Sequence, residues 1–434
     1  MSTAALATLG CKVNQCESAY LEQQLAQADF LIRPFAEPTD LYCINTCAVT
    51  SKAAMQSRQL VRRAIRLNPE AQVVVMGCYP QIAADEIAAI PGVTHILGTT
   101  EKLALLEYIS RAKGNAPPHI HLSDARKAVD PSPLTFSSFA QRTRAFLKIQ
   151  DGCDAVCAYC IVPHARGRSR SINLESILKQ VERFLGHGCQ EVVLTGIHLG
   201  HWGLDLQPQQ ELVVLLRTIL DRCPPPRLRL SSLEPGEITP DLLELMAAEP
   251  ELCPHLHIPL QSGDATVLNR MNRHYHPDLY RELVLEAIRR VPALAVGADV
   301  LVGFPGETDE FFQNTYRLIE SLPIAYLHVF PYSPRPGTPA ATMTPQVVSS
   351  LIRHRCSLLR DLDKRKRLAF VQQFLGEIRP VLVESRRDEA SGMMRGFSDN
   401  YLPVLIPADS ARENQIVMAK LDRPKGTQVV GVPL

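Results

Sequence analysis

Apolar residues in the first hundred positions come as short runs separated by stretches of helical period. ALATLGC (5–11), DLYCINTC (40–47), AQVVVMGC (71–78) and HILG (95–98) are short, apolar and flanked by turn or helix signals, so they read as strands. Helical patterns fall between them: through about Gln27, from 53 to 69 with a stop at Asn68-Pro69, and around 81–90. Strands alternating with helices predict a parallel sheet with helices on its faces, and ligands bind such sheets at the carboxyl ends of the strands. Residues 114–144, with GNAPPH and PSPLTFSS and few periodic apolar positions, read as a linker. From 145 to 370 strand-like segments return as AFLKIQDGC (145–153), EVVLTGIHLG (191–200), RLRLSSLEP (227–235), HLHIPLQSG (255–263), AVGADVLVGFPGE (295–307) and AYLHVFPYS (325–333). Helical patterns near 173–186, 209–221, 240–248, 277–290 and 308–321 separate them, and a long basic helix covers about 345–370. Six such units predict a partial (β/α)6 barrel, whose function sits at the strand C-termini. Beyond 371, short alternating segments with Pro and Gly turns predict a small β-barrel. The expected organisation is an α/β chain with a parallel-sheet domain at 1–113, a linker at 114–144, the barrel at 145–370 and the β-barrel at 371–434.

Composition narrows the class. With 434 residues, 46% hydrophobic and 21% charged, the chain suits an ordinary globular protein of several domains. A formal charge of +1 gives no global attraction to nucleic acid, so any RNA surface must be local. The candidate is the end of the chain, where residues 351–434 carry fifteen Lys+Arg against ten Asp+Glu. Arg58, Arg62, Arg63 and Arg66 form a stripe at helical spacing, read as a solvated face. The N-terminus has no basic stretch before a long apolar core, and no apolar run reaches the length of a membrane span. A cytoplasmic setting without membrane attachment is therefore expected, where twelve cysteines serve metal ligation better than disulfides.

The cysteines carry the chemistry. Cys153, Cys157 and Cys160 form a C-x3-C-x2-C array within eight residues. Soft thiolates select iron or zinc, and a cubane normally takes four Cys ligands. Three here, with the next at Cys189 beyond a predicted helix, suggest a cluster with one iron left open. Zinc would want a second paired half nearby, and three clustered free cysteines are the plainer alternative. Cys11, Cys47 and Cys78 each end a predicted strand, 36 and 31 residues apart, so one βα unit separates each from the next. They should converge on one sheet edge, either as ligands of a second centre or as packing residues. Cys16 and Cys43 lie close to two of them and read as packing cysteines.

The array and its surroundings, GCDAVCAYCIVPHARGRSRS (152–171), strongly resemble the radical S-adenosylmethionine (SAM) enzymes and, within them, the methylthiotransferases. LGCKVNQ (9–15), NTCAVT (45–50) and MGCYP (76–80) match the family's three auxiliary-cluster segments, and the likeness covers nearly the whole chain. The resemblance implies two [4Fe-4S] clusters, one on Cys153, Cys157 and Cys160 that cleaves SAM, and one on Cys11, Cys47 and Cys78 that carries the sulfur. It places SAM among the strand ends LTGIH, SSLEP, LQSG and GFPGE, with Gly196, Ser232, Glu234, Gln261, Asp299 and Gly303 as lining residues. NRMNRHYHP (269–277) is similar to the family's R-M-x-R-x-Y segment. Arginine forks pair with carboxylate or phosphate, so Arg270 and Arg273 are candidates for the cofactor or the RNA, a plain surface salt bridge being the alternative. The β-rich tail is similar to the TRAM module, a small RNA-binding barrel. Implied partners are the anticodon loop of tRNA, an electron donor such as flavodoxin or ferredoxin, and a sulfur source. LGCKVNQ and the frame at 159–171 resemble most the branch acting on N6-threonylcarbamoyladenosine at tRNA position 37. Sister branches act on isopentenyladenosine or on an aspartate of a ribosomal protein. A non-enzymatic metal-containing RNA-binding protein is the alternative from another class, and it has no need of a glycine-rich barrel rim.

Overall fold

The structure is a computed structural model that describes residues 1–109, 117–129, 131–137 and 143–434. The first layer holds strands β1 (Thr3–Thr8), β2 (Leu31–Ile32), β3 (Leu41–Thr46), β4 (Gln72–Gly77), β5 (His95–Leu97) and β6 (His119–His121). They form one sheet in the order β2-β1-β3-β4-β5-β6, and every pairing is parallel. Helices α1 (Lys12–Gln27), α2 (Ser51–Leu67), α3 (Cys78–Ala88) and α4 (Leu105–Ile109) make the connections. β3 is buried along its whole length because the sheet is covered on both faces, which is why its sequence reads as a continuous apolar run. α2 starts where the Thr50 hydroxyl caps the Ala53 N–H, and it stops before Pro69. From β1 the chain runs outward to β2, then returns to place β3 on the other side. That reversal makes a topological switch point between β1 and β3, where open parallel sheets bind ligands.

The central layer contains β7 (Arg144–Lys148), β8 (Gln150–Asp151), β9 (Arg170–Ser171), β10 (Glu191–Thr195), β11 (Leu228–Leu230), β12 (His255–His257), β13 (Ala295–Val302) and β14 (Tyr326–Pro331). β8 and β9 form a small antiparallel ladder at the first strand's end. The other six run β7-β10-β11 and β12-β13-β14 in two parallel sheets, bridged through Leu228–Leu252 and Ser232–His257. Strand order therefore follows chain order, giving the expected partial (β/α)6 barrel. Its helices are α5 (Val162–Arg166), α6 (Leu174–Gly186), α7 (Leu212–Arg222), α8 (Pro240–Ala248), α9 (Ala265–Arg270), α10 (Pro277–Arg290), α11 (Asp309–Ser321) and α12 (Ser349–Gln373). Along the strands apolar residues such as Leu147, Val192, Leu194, Leu230, Leu256 and Val296 join the large core beneath the helices. The alternate positions Arg144, Glu191, Arg229, His257, Asp299 and His328 fall to the barrel interior, which is polar. Gly297 lies opposite Tyr326, and a Cβ there would sit 2.1 Å from the phenol ring.

The last five strands, β15 (Ile378–Arg387), β16 (Met394–Ser398), β17 (Pro403–Ile406), β18 (Ile416–Lys425) and β19 (Gln428–Pro433), close a barrel in the order β15-β16-β17-β19-β18. Its core (Val381, Val383, Val404, Leu421) extends onto Phe370 of α12 and Phe374 just beyond the helix. This barrel stoppers the N-terminal end of the central one. Arg227 donates to the Phe397 carbonyl at 3.0 Å, and Arg229 to that of Asp399 at 2.9 Å. Tyr401, at φ 67°, inserts its ring beneath the guanidinium groups of Arg144 and Arg229, 5.8 and 5.0 Å away.

The N-terminal sheet gains β2 and β6 over the four strands expected. β6 and a 3-10 turn at Ala125–Lys127 lie in the stretch read as a linker, where Leu134 and Phe136 are also buried. A three-residue edge strand of His-Ile-His has no alternation to read, so only its neighbour β5 reveals it. The remainder of that stretch, 114–116, 130 and 138–142, lies outside the described residues. Among the described residues no helix is long and apolar enough to cross a membrane.

Glu191 is wholly buried and pairs with Arg229 at 2.7 Å. Removing one partner of such a pair strands a charge, so Arg229→Leu should lower unfolding stability by about 3–5 kcal/mol. A chemical denaturation midpoint within error of the parent would show that this floor does not hold the two barrels together.

Candidate functional site

The first candidate centre is built by sheet topology. β1, β3 and β4 are adjacent, and Cys11, Cys47 and Cys78 follow their ends directly, straddling the switch point. Cys11 is the N-cap of α1 and Cys78 opens α3, so two of the three thiols sit at helix N-termini. Both preceding residues, Gly10 and Gly77, have φ +101°. A Cβ on Gly10 would fall 2.9 Å from the Cys47 Cβ and 3.1 Å from its Sγ, so glycine there lets the first and second cysteines approach. Burial pushes the Cys47 thiol up to about 11, with Cys78 and Cys11 adding to the rise and Arg166 opposing it. Burial likewise raises Cys11, against Arg166 and together with Cys78. The three thiols thus feel one another and one guanidinium. Cys16 and Cys43 are fully buried in apolar clusters, and burial pushes Cys16 up to about 12.

The second centre lies on the loop after β7. Gly152, at φ 73°, opens it, and a Cβ there would lie 1.8 Å from the Arg168 carbonyl oxygen, so no other residue fits. The Gln150 amide pins the loop by donating to the Gly152 carbonyl (2.8 Å) and Ser169 Oγ (2.8 Å), while its oxygen accepts from the His198 N–H (2.9 Å). Cys153 N–H donates to the Gly167 carbonyl, Cys160 N–H to that of Cys157, and Ala158 N–H to that of Met271. Cationic side chains meet two of the three sulfurs. His198 Nδ1 lies 3.4 Å from Cys153 Sγ, and Arg273 Nη1 donates to Cys157 Sγ at 3.6 Å. Burial disfavours the His198 imidazolium, but Cys153 and Glu237, the latter 2.5 Å from its Nε2, outweigh it and raise its pKa to about 10. Arg273 also donates to Glu234 at 3.0 Å, and its buried Nε and Nη2 have no partner among the described residues. Thiols on a fixed loop with spare N–H donors beside them are a donor set that fits a thiolate-ligated iron–sulfur cluster.

Gly196, Ser232, Glu234, Gln261 and Asp299 are half-buried. A Cβ on Gly196 would meet Gln150 Oε1 at 2.9 Å, so this glycine serves the cysteine loop as well. Gln261 has φ 60° and donates its N–H to the Asp299 carbonyl at 2.8 Å. Asp299 Oδ1 lies 2.8 Å from His257 Nε2 and 3.2 Å from His328 Nδ1, inside the barrel. Gly303 stands apart: it is buried under α12, where a Cβ would strike Ile352 at 2.4 Å.

Sequence reasoning missed the group that joins the centres. Glu17 of α1 is enclosed by Lys102 (2.5 Å), Arg166 (3.0 Å) and Lys148 (3.6 Å), all buried. Arg166, six residues after Cys160, also bonds Asp151 at 2.8 Å and Asn14 Oδ1 at 2.5 Å. Nothing in the local pattern pairs residues 149 apart.

Comparison with known proteins fits this geometry. Residues 147–319 match the radical SAM superfamily, and residues 3–98 match an uncharacterized protein family, UPF0004. The radical SAM methyltransferase TsrM from Kitasatospora setae superposes with a TM-score of 0.56 over 79% of this chain and 77% of its own, at 18% identity, a likeness of fold. The protein is thus a radical SAM enzyme, a class that works with SAM and a [4Fe-4S] cluster. The threonylcarbamoyladenosine tRNA methylthiotransferase MtaB of Bacillus subtilis is 39% identical over 97% of this chain and 94% of its own. MtaB of Aquifex aeolicus is 35% identical over 88% and 93%. The tRNA-2-methylthio-N(6)-dimethylallyladenosine synthase of Pelotomaculum thermopropionicum is 30% identical over 98% and 96%. The chain belongs to the methylthiotransferase family of radical SAM enzymes.

Burial opposes ionisation of Glu17, yet Arg166, Lys102 and Lys148 outweigh it and hold its pKa at about 2, below the ordinary 4.5. Stability from this lowered carboxyl is fully present above about pH 4.5 and is lost as pH falls toward 2. Glu17→Gln should be less stable than the parent at pH 7 and lose less stability on acidification through that window. Parallel stability–pH curves for the two proteins would refute the assignment.

Proposed function

We propose that this protein adds a methylthio group to C2 of N6-threonylcarbamoyladenosine at position 37 of tRNA, in the cytoplasm, using two [4Fe-4S] clusters and SAM. The observation that carries the substrate is the character of the barrel interior. Arg144 and Arg229 line its floor with Tyr401, and Lys12, the residue after Cys11, feels the same groups; burial lowers its pKa. Glu191, already paired with Arg229, is the carboxylate that acts on Lys12. A threonylcarbamoyl arm ends in a carboxylate and a hydroxyl, which such a chamber can bind. An isopentenyl arm offers only carbon, and placing it against charged groups would desolvate them without return. The higher identity to the MtaB enzymes than to the dimethylallyladenosine synthase supports the same choice.

In this reading Cys153, Cys157 and Cys160 hold the cluster that binds SAM, and Cys11, Cys47 and Cys78 hold the other. When bound, these groups supply the electron transfer, radical and sulfur chemistry that side chains lack. The chain's own residues hold the ligands and shape the chamber. His198 and Arg273 donate to cluster thiolates. Gly196, Ser232, Glu234, Gln261 and Asp299 line the SAM pocket, and Gly303 supports its rim from beneath α12. The C-terminal barrel, with Arg386, Arg387, Arg412, Lys420, Arg423 and Lys425 exposed, follows the phosphates of the anticodon stem-loop. A flavodoxin- or ferredoxin-type electron donor and a sulfur source complete the partners.

Complementation tests this directly. Cells lacking the protein should lose the methylthio group from threonylcarbamoyladenosine while isopentenyladenosine derivatives stay unchanged, read by mass spectrometry of tRNA nucleosides. The parent gene should restore it, while Cys157→Ala and Cys47→Ala should not. Of the purified variants, only Cys47→Ala should still cleave SAM under reduction. An unaltered tRNA profile would move the substrate to a ribosomal protein.

Lys12→Gln removes one charge-assisted contact, worth about 1.5–3 kcal/mol. It should lower kcat/KM on threonylcarbamoyladenosine RNA by roughly 10- to 100-fold, with SAM cleavage in the absence of RNA unchanged. Equal loss on RNA lacking the threonyl carboxylate would remove Lys12 from its recognition.

A further inference from the structure

Arg166 sits on the cysteine loop of one centre and touches the frame of the other. Its Nη1 donates to Glu17 Oε1 (3.1 Å) and Asp151 Oδ1 (2.8 Å), and its Nη2 to Asn14 Oδ1 (2.5 Å) and Glu17 Oε2 (3.0 Å). Asn14 in turn donates to the carbonyls of Leu9 (2.7 Å) and Thr46 (3.0 Å), in the turns that carry Cys11 and Cys47. A Cβ on Gly10 would lie 3.2 Å from Asn14 Nδ2 and 3.1 Å from Cys47 Sγ, so Asn14 borders the three-cysteine site. On the third side, Ile161 and Ala165 of the same loop and helix share a core cluster with Cys78 and Tyr79.

Two features of this arrangement are left over by the protein alone. The buried group counts three cations (Lys102, Lys148, Arg166) against two carboxylates (Glu17, Asp151), a surplus of +1. Arg170, which donates to the Arg166 carbonyl at 2.7 Å, adds to it. A buried surplus charge is costly unless an opposite charge lies beside it. Arg166 Nε is also buried and without a partner among the described residues. A thiolate-ligated anionic centre at Cys11, Cys47 and Cys78 would meet both needs.

We infer that Arg166 is a positioning residue for the three-cysteine site, offsetting its negative charge and donating Nε–H to its sulfur. Because Arg166 is fixed to the loop of Cys153, Cys157 and Cys160, it also ties the geometry of one centre to that of the other. The inference rests on the reading of Cys11, Cys47 and Cys78 as cluster ligands.

The test uses the full chain with Cys153, Cys157 and Cys160 all changed to Ala, so that only the other three cysteines can hold a cluster. After anaerobic reconstitution with iron and sulfide, iron content and the midpoint potential are measured by redox titration with electron paramagnetic resonance. Removing a cation disfavours the reduced, more negative cluster, so Arg166→Met should lower the potential. The expected shift is at least tenfold in the reduction equilibrium, which is about 59 mV for one electron. Arg166→Lys keeps the charge and should recover most of that shift. Glu17→Gln enlarges the positive surplus and should move the potential upward, and it carries the test alone if Arg166→Met does not fold. A scaffold role would not give shifts of opposite sign. Unchanged potentials, or shifts of one sign, in fully loaded variants overturn the inference while leaving the ligands intact. Failure of the parent triple variant to bind iron instead overturns the ligand reading on which it stands.

Discussion

A carboxylate with no access to water governs how the two halves of this molecule meet. Glu17 belongs to the helix that follows the first cysteine of the N-terminal sheet, yet two of its three cations come from the central barrel: Lys148 from β7 and Arg166 from α5. Each of these charges would be expensive to bury alone, and any sliding of sheet against barrel would leave one stranded. Charges so placed define one relative position far more sharply than apolar packing, which tolerates repacking. The separation between Cys11, Cys47 and Cys78 on one side and Cys153, Cys157 and Cys160 on the other follows from that position.

A second polar floor does the same for the third part of the chain. The central barrel has Arg144, Glu191 and Arg229 inside it because the alternate strand positions already face the helices. These residues need partners, and the C-terminal barrel brings carbonyls from 397–399 and the ring of Tyr401. The small barrel therefore closes the chamber from below. Closing the bottom with hydrogen-bond acceptors and an aromatic ring, rather than a hydrophobic plug, keeps the chamber suited to a polar ligand.

Periodicity made much of this legible. Cysteines at strand ends were visible because a strand's end is marked by its own apolar run, and a parallel sheet brings such ends together. The six βα units were legible for the same reason, and α1 and α10 follow the helical patterns closely. Sheet order was not legible: β2 has two residues and β6 three, too short to show a period, and the switch point depends on β2. Gly303 illustrates a subtler limit. A glycine at a strand end signals close approach, but only the fold shows that the approaching atoms belong to Ile352 of α12. Side-chain partnerships were beyond reach in principle, since His198–Cys153 and Arg273–Cys157 join residues 45 and 116 apart.

Both cysteine sites share one electrostatic logic. Burial keeps the thiols of Cys16, Cys47 and Cys160 neutral, raising them to about 12, 11 and 12. Cys16 joins the apolar core beside the Lys148 backbone, and burial holds it as a thiol. At the two candidate centres a bound metal can displace the protons, and the resulting anion needs a counter-charge in a site shielded from water. Each centre receives it from outside its own cysteine segments: His198 comes from the end of β10, Arg273 from the turn after α9, and Arg166 reaches the N-terminal centre from the barrel's loop. Neither set of cysteines is therefore electrostatically complete within its own segments. The first three need the barrel docked on the sheet, and the second three need the barrel rim closed. In the two-cluster reading, cluster assembly and the docking of the domains are two views of a single charge balance.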